Sequence, residues 1–152
     1  MKILGRATTL GEIDKIRRMK YESIHSMIPI YSQTSRVMTQ DGHLEFVQIQ
    51  FVSPVDSDTI AEQLNRYVIA PVVATLPSTP QSLFLVQKAM PSPRQIGYLP
   101  SGMEIIIGDI TQNNDKNVTF WTLSHNLRRG ACWAGRQGLE LYLHLYQDWS
   151  FE

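Results

Sequence analysis

The sequence predicts an α+β fold that is mainly antiparallel β, and two observations carry that assignment. Apolar residues recur at helical spacing in two places, both in the first half of the chain. The second half alternates short apolar runs with turn-rich stretches, the pattern of an antiparallel meander. At 152 residues the chain has the size of a single domain, 1–152. Such a chain buries roughly two thirds of its unfolded surface.

The first helix is expected from about Leu10 to about Lys20. Thr9 and Glu12 form a capping-box pattern there, followed by Ile13 and Ile16. "SRVMTQDGHLEFVQIQFVSP" predicts a hairpin turning at Asp41-Gly42, because glycine tolerates positive φ. Beyond the turn, Val47, Ile49 and Phe51 alternate with Gln48 and Gln50, as in a half-buried strand. The second helix starts near Ser57, Asp58 or Thr59, with Glu62 completing a box with Thr59. Ile60, Leu64, Tyr67 and Val68 form its core stripe, and Pro71 ends or kinks it. "SLFLVQKA" reads as a strand, and "MPSPRQIGYLPSG" as a loop with at best a short strand from Ile96 to Leu99. Three β segments follow: "MEIIIGDIT", "NVTFWTLS" running on toward Trp133, and "LELYLHLYQDW". "QNNDKN" and "GRQG" are the turns between them.

Lys+Arg and Asp+Glu both number 14, so the net charge is zero, which argues against nucleic acid as a partner. Cys132 stands alone, which excludes an internal disulfide and fits a reducing compartment. No apolar run reaches the roughly 18 residues that span a bilayer. "MKILGRATTLGEIDK" turns polar too early for a signal peptide. The expectation is a cytoplasmic protein with no membrane partner, and a homodimer stays open.

His25, His43, His125 and His144 lie far apart and show no metal-ligand spacing, so no metal is expected and each reads as a solvated or capping side chain. Cys132 reads as a small buried side chain. The sharper alternative is a nucleophile paired with His125 or His144. Gly130, Gly135 and Gly138 lie among Arg128, Arg129 and Arg136, but match neither a dinucleotide fingerprint nor a P-loop. In the last predicted strand Leu139, Leu141, Leu143 and Leu145 point one way, toward the core. Glu140, Tyr142, His144, Tyr146 and Asp148 point the other. That second face is either a solvated surface or the wall of a ligand cavity.

The run "FWTLSHNLRR" resembles the signature of the S-type phycobiliprotein lyases, in which an aromatic-rich strand leads into Asn-Leu-Arg. Phe120, Trp121, Ser124, Asn126, Leu127 and Arg128 carry the likeness. "KYESIHS", with Tyr21 and His25, is similar to an early segment of that family, and "AGRQGLELYLHLY" takes the place of its final hairpin. The resemblance implies a calycin- or lipocalin-like barrel, open or shortened, with two flanking helices. It implies a lyase of the cytoplasm or the plastid stroma. Such a protein binds a linear tetrapyrrole (bilin) and assists its attachment to a cysteine of an apo-phycobiliprotein, a phycobilisome subunit. The bilin is then a transient ligand, and no cofactor is tightly bound. Arg128 and Arg129 would pair with the propionates, and Asp109 with the pyrrole N–H groups, making Asp109 and Arg128 the catalytic pair. Trp121, Tyr142, His144, Tyr146, Tyr21 and His25 would complete the pocket.

Two further readings stand beside it. If "MKILGRA" is a strand, the first half follows a ferredoxin-like order, and the chain is a noncatalytic module for RNA or a protein partner. The third is an enzyme with its own Cys-His chemistry at Cys132.

Overall fold

The computed structural model describes residues 38–146. The chain divides into two compact units, Met1–Met38 and Thr39–Glu152, and the elements below belong to the second. The expected Leu10–Lys20 helix, "KYESIHS" with Tyr21 and His25, and most of the first arm of the Asp41-Gly42 hairpin lie outside the described residues.

Four strands form one open mixed sheet: β1 (His43–Gln50), β2 (Phe84–Gln87), β3 (Ile105–Asn114) and β4 (Asn117–Ser124), in spatial order β1-β4-β3-β2. The described residues form no closed barrel, which corrects the calycin-like expectation. The β3–β4 hairpin follows its sequence closely. Asn114 Oδ1 accepts from the N–H groups of Lys116 and Asn117, both at 2.9 Å, and closes the turn. Ile, Val, Thr, Phe and Trp fill both strands, side chains that suit a pleated surface.

The meander fails at β2. This strand pairs parallel with β3, Phe84 opposite Ile105 and Gln87 opposite Gly108. A parallel pair needs a long crossover, and residues 88–104 supply it. Within that crossover a 3₁₀ segment, Pro93–Tyr98, replaces the expected short strand. Pro93 presets its start, and the Gln95 side chain accepts from the Ser92 N–H at 2.7 Å.

One row across the sheet makes the core. Leu85, Ile106, Leu123 and Leu44 sit side by side on one face, and Ile96 and Leu99 of the crossover close over them. Leu123 is fully buried. The opposite face takes helix α1 (Ser57–Asn65), which contacts β2 and β3, and Tyr67 just beyond it meets Phe84 edge-on, with ring centroids 5.2 Å apart. Asp56, one residue before the expected caps, is the cap, its Oδ2 accepting from Thr59 N–H at 2.9 Å. Ile60 and Leu64 are half-buried as the stripe predicts, whereas Tyr67 and Val68 lie past the helix and are exposed. Pro71 does not end this helix, which stops at Asn65. It opens the one-turn helix α2 (Pro71–Ala74) at the position proline favours.

The largest correction is at the C-terminal side. Residues predicted as the last strand form helix α3 (Trp133–Tyr146), entered through a π turn over Arg128–Cys132. The π turn carries its i→i−5 bonds plainly: Gly130 N–H to His125 O at 3.1 Å and Cys132 N–H to Leu127 O at 2.9 Å. No Val, Ile or Thr occurs from Leu123 to Tyr146. Without β-branched side chains, and with Leu, Gln, Glu, Arg and Ala abundant, the segment favours helix. Its alternate leucines therefore do not share a face: Leu139 and Leu145 are exposed, while Leu141 and Leu143 are half-buried. Among the described residues no helix is long and apolar enough to cross a membrane.

A buried carboxylate fixes α3. Glu140, only 5% exposed, accepts from Ser78 N–H at 2.9 Å, Ser78 Oγ–H at 2.7 Å and Arg136 Nε–H at 2.7 Å. Gln137 adds a bond to Thr79 Oγ1 at 2.7 Å. Burial pushes the Glu140 carboxyl up, but the Ser78 bonds and Arg136 outweigh it, and the net shift is below the ordinary 4.5. A depressed carboxyl gives stability that is full above its unfolded value and is lost as pH falls through its folded value. Thermal melts from neutral pH down to the acid range are therefore expected to show a loss that Glu140→Gln removes. At neutral pH that variant should be destabilised by about 1.5–3 kcal/mol, the scale of hydrogen bonds to a charged group.

Candidate functional site

A cleft of about 350 Å³ opens where three segments meet at one end of the sheet. Thr39, Gln40 and Asp41 form one side, Pro93, Ile96 and Gly97 the second, and His125 and Arg128 the third. Register explains the convergence. His43 at the start of β1 lies opposite Ser124 at the end of β4, and Ile105 at the start of β3 lies opposite the same Ser124.

Gly42 makes the approach to β1 possible. It holds φ +115, and a Cβ there would come within 3.3 Å of Ile96 Cγ1. The Asp41-Gly42 signal is thus a real backbone feature, although no strand precedes it among residues 38–42. Directly after it, His43 Nε2 meets Glu45 Oε1 at 2.7 Å. Two positions apart on a strand, the side chains share a face. The pair is about half exposed, 56% and 50%. An imidazole oriented by a carboxylate is a proton-transfer arrangement. The sequence reading passed over it, although His-x-Glu in a predicted strand was the available signal.

The arginines serve other ends. Arg128 Nη1–H donates to Ser101 O at 3.2 Å, and its guanidinium lies 5.4 Å from the Trp133 ring centroid. Gly102, at φ +79, leaves the space that the Arg128 chain fills. Arg129 Nη1–H donates to Met103 O at 3.2 Å. Burial lowers the Arg129 guanidinium from its ordinary value, opposed by the nearby Tyr67 phenol, and an arginine so placed stays charged. Directly after these two carbonyls in sequence is buried Glu104, which accepts from Ser101 N–H at 3.0 Å, Ser101 Oγ–H at 2.9 Å and Gly102 N–H at 2.9 Å. Both arginines therefore hold the 101–103 loop against the start of α3, and Arg128 also lines the cleft.

Asp109, Trp121, Tyr142, His144 and Tyr146 do not gather there. Asp109 is exposed at φ 54 in a bulge of β3, four residues, or about 13 Å of strand, beyond Ile105. Trp121 packs on Phe46 with centroids 5.0 Å apart. Tyr142 and Tyr146 stack along one side of α3, 5.2 Å apart, and His144 is turned from them. His125 is buried, its Nδ1 accepting from Leu127 N–H at 3.3 Å. Cys132 is exposed rather than buried, and its thiol donates to Leu127 O at 3.1 Å instead of facing an imidazole. Among the described residues no cluster of metal-ligating side chains is present.

The described residues form an open mixed sheet flanked by helices, not a bilin-binding barrel. The chain belongs to the family described as semialdehyde dehydrogenase, dimerisation domain, which it matches over residues 5–129. It is 30% identical over 144 residues to malonyl CoA reductase (NADP) of Metallosphaera sedula, an alignment of 89% of this chain and 40% of that protein. It is 27% identical over 118 residues to aspartate-semialdehyde dehydrogenase of Archaeoglobus fulgidus, covering 76% of this chain and 33% of that one. The crystal structure of aspartate semialdehyde dehydrogenase with NADP from Candida albicans superposes with a TM-score of 0.57 at 26% identity, covering 67% of this chain and 30% of that one. The chain thus spans about two fifths or less of the length of these relatives.

This family replaces the S-type phycobiliprotein lyase resemblance, which rested on Asn126, Leu127, Arg128 and a few aromatics. The bilin ligand, the apo-phycobiliprotein partner and the lyase activity fall with it, and the ferredoxin-like RNA or protein-binding module finds no support. The expected lack of a tight cofactor is overturned too, since relatives are NADP proteins by name and by structure. Arg128→Ala is accordingly expected to act on stability. Urea denaturation should show a loss of about 1.5–3 kcal/mol, from one charged hydrogen bond and one cation–π contact.

Proposed function

We propose that this chain is the self-associating domain of an NADP-dependent oxidoreductase of the semialdehyde dehydrogenase kind. The family match over residues 5–129 carries the reading. The relatives' names support a substrate class for the proposed enzyme. Malonyl-CoA and aspartate semialdehyde each place a carboxylate at one end and a reactive carbonyl carbon at the other. The match crosses both compact units, so residues 1–152 are taken as one domain. A cytoplasmic location goes with the reading, on the strength of the lone cysteine.

The described residues do not fit the cofactor itself. A dinucleotide diphosphate wants an open helix N-terminus behind a glycine turn. The first turn of α1 is closed by the Asp56 carboxylate, and α2 has only 4 residues. The π turn leading into α3 bonds its N–H groups to His125 O, Leu127 O and Arg128 O. In this proposal NADP is held by the part of the enzyme that corresponds to the rest of its relatives' length. What this domain contributes is a proton-transfer group. His43 gives its Nε2 proton to the bond with Glu45, which leaves Nδ1 as the nitrogen that accepts or returns a proton at the substrate.

Two measurements test this. Light scattering on the purified protein should give the mass of a dimer; a monomer at micromolar concentration would count against self-association. Turnover is followed by the absorbance of reduced nicotinamide, with this domain supplied together with the part of the enzyme that holds NADP, using NADPH plus malonyl-CoA and NADP plus aspartate semialdehyde and inorganic phosphate as acyl acceptor. His43→Ala is expected to lower kcat by about 10²–10⁴-fold, the usual contribution of a general acid–base. No turnover of either substrate by the wild-type protein would overturn the oxidoreductase reading.

A further inference from the structure

The backbone N–H of Gly42 donates to Asn126 Oδ1 at 2.9 Å, a link between residues 84 apart in sequence. Asn126 sits directly after buried His125 and three residues after fully buried Leu123. Gly42 is therefore held from two sides. Asn126 grips its amide, and the space where a side chain would stand is closed by Ile96 Cγ1 at 3.3 Å and Leu123 Cδ1 at 3.5 Å. The next residue is His43. Strand β4 also reaches the partner of His43, because Thr122 Oγ1 approaches Glu45 Oε2 at 3.4 Å.

We propose that Asn126 is a positioning residue for His43. By fixing the Gly42 amide, it sets the direction in which the imidazole leaves the start of β1. The inference rests on reading His43 as the proton-transfer group. Glycine has the freest backbone of any residue, so without a partner for its N–H the Gly42 torsions are the weakest link in the path to the imidazole. The imidazole tip lies roughly 6 Å from that pivot, so a rotation of about 10–20° displaces it by about 1–2 Å, enough to cost about 100-fold in rate.

The experiment compares Asn126→Ala, Asn126→Asp, His43→Ala and the double variant His43→Ala/Asn126→Ala in the same turnover assay. Asn126→Ala is expected to lose about 100-fold in kcat with KM within about threefold, because a mispositioned acid–base affects the chemical step rather than binding. Asn126→Asp keeps an oxygen acceptor and should recover kcat to within about tenfold of wild type. The double variant should be no slower than His43→Ala, the signature of two residues acting through one group. If His43→Ala is inactive while Asn126→Ala turns over at the wild-type rate, the positioning role is wrong and the acid–base reading survives. Normal activity of His43→Ala removes both. Hydrogen exchange on the wild-type protein supplies a check that needs no variant. The Gly42 amide should exchange at least about tenfold more slowly than an open amide, and unprotected exchange would overturn the proposal.

Discussion

Leu123 is the residue on which the described fold depends most. It is fully buried on the central strand pair, with Ile106 on one side, Leu44 on the other and the crossover residues Ile96 and Leu99 above. β4 is also the strand that pairs with both β1 and β3, so the apolar row and the backbone ladder run through the same place. The site is built from what borders this residue. Gly42 has Leu123 against its missing side chain, and His125, Asn126 and Arg128 follow it within five positions. Hydrophobic burial thus sets the geometry that the polar groups then refine.

The polar refinement relies on one device used twice. Glu104 and Glu140 are both buried, and each satisfies its carboxylate with a serine's N–H and hydroxyl. A buried carboxylate without such donors would carry a heavy desolvation penalty. Here the penalty is offset locally, and the charge becomes an anchor for a loop. One anchor ties α3 to the 78–79 segment, and the other shapes the 101–103 loop whose carbonyls receive Arg128 and Arg129. The arginine pair that looks like an anion site in the sequence therefore acts largely on backbone oxygens of its own chain.

Much of the sheet was legible in the sequence, and the reasons are specific. β3, β4 and α1 announce themselves by β-branched residues and helical periodicity, whereas β1 is legible as a strand but not in its face, since Leu44 and not Ile49 meets the core, and the cap of α1 is Asp56, one residue before those expected. The parallel pairing of β2 was not legible, because a four-residue strand gives no directional signal and the crossover holds its proline-rich turn without long helical periodicity. α3 reads as a strand in the sequence because leucine at every second position imitates strand spacing. The missing β-branched residues point the other way, toward helix. In the site, His43 shows no metal-ligand spacing and reads from sequence as a solvated or capping side chain. Glu45, two residues on, was present in the same predicted strand. The lyase resemblance rested on a tripeptide and scattered aromatics, too little to compete with a match along residues 5–129.

The π turn before α3 gives the domain an unusual sensitivity to length. Each residue advances a helix by about 100°, and the five-residue bonding at Arg128–Cys132 inserts one more residue than an α turn would hold. The phase of everything downstream is therefore set by a count. With one residue fewer, Glu140 would rotate away from Ser78, and the helix would present a different stripe of side chains without any change in its composition. The number of residues in this turn is therefore as much a part of the fold as their chemistry, since a deletion would move every side chain of the helix while a substitution moves only one.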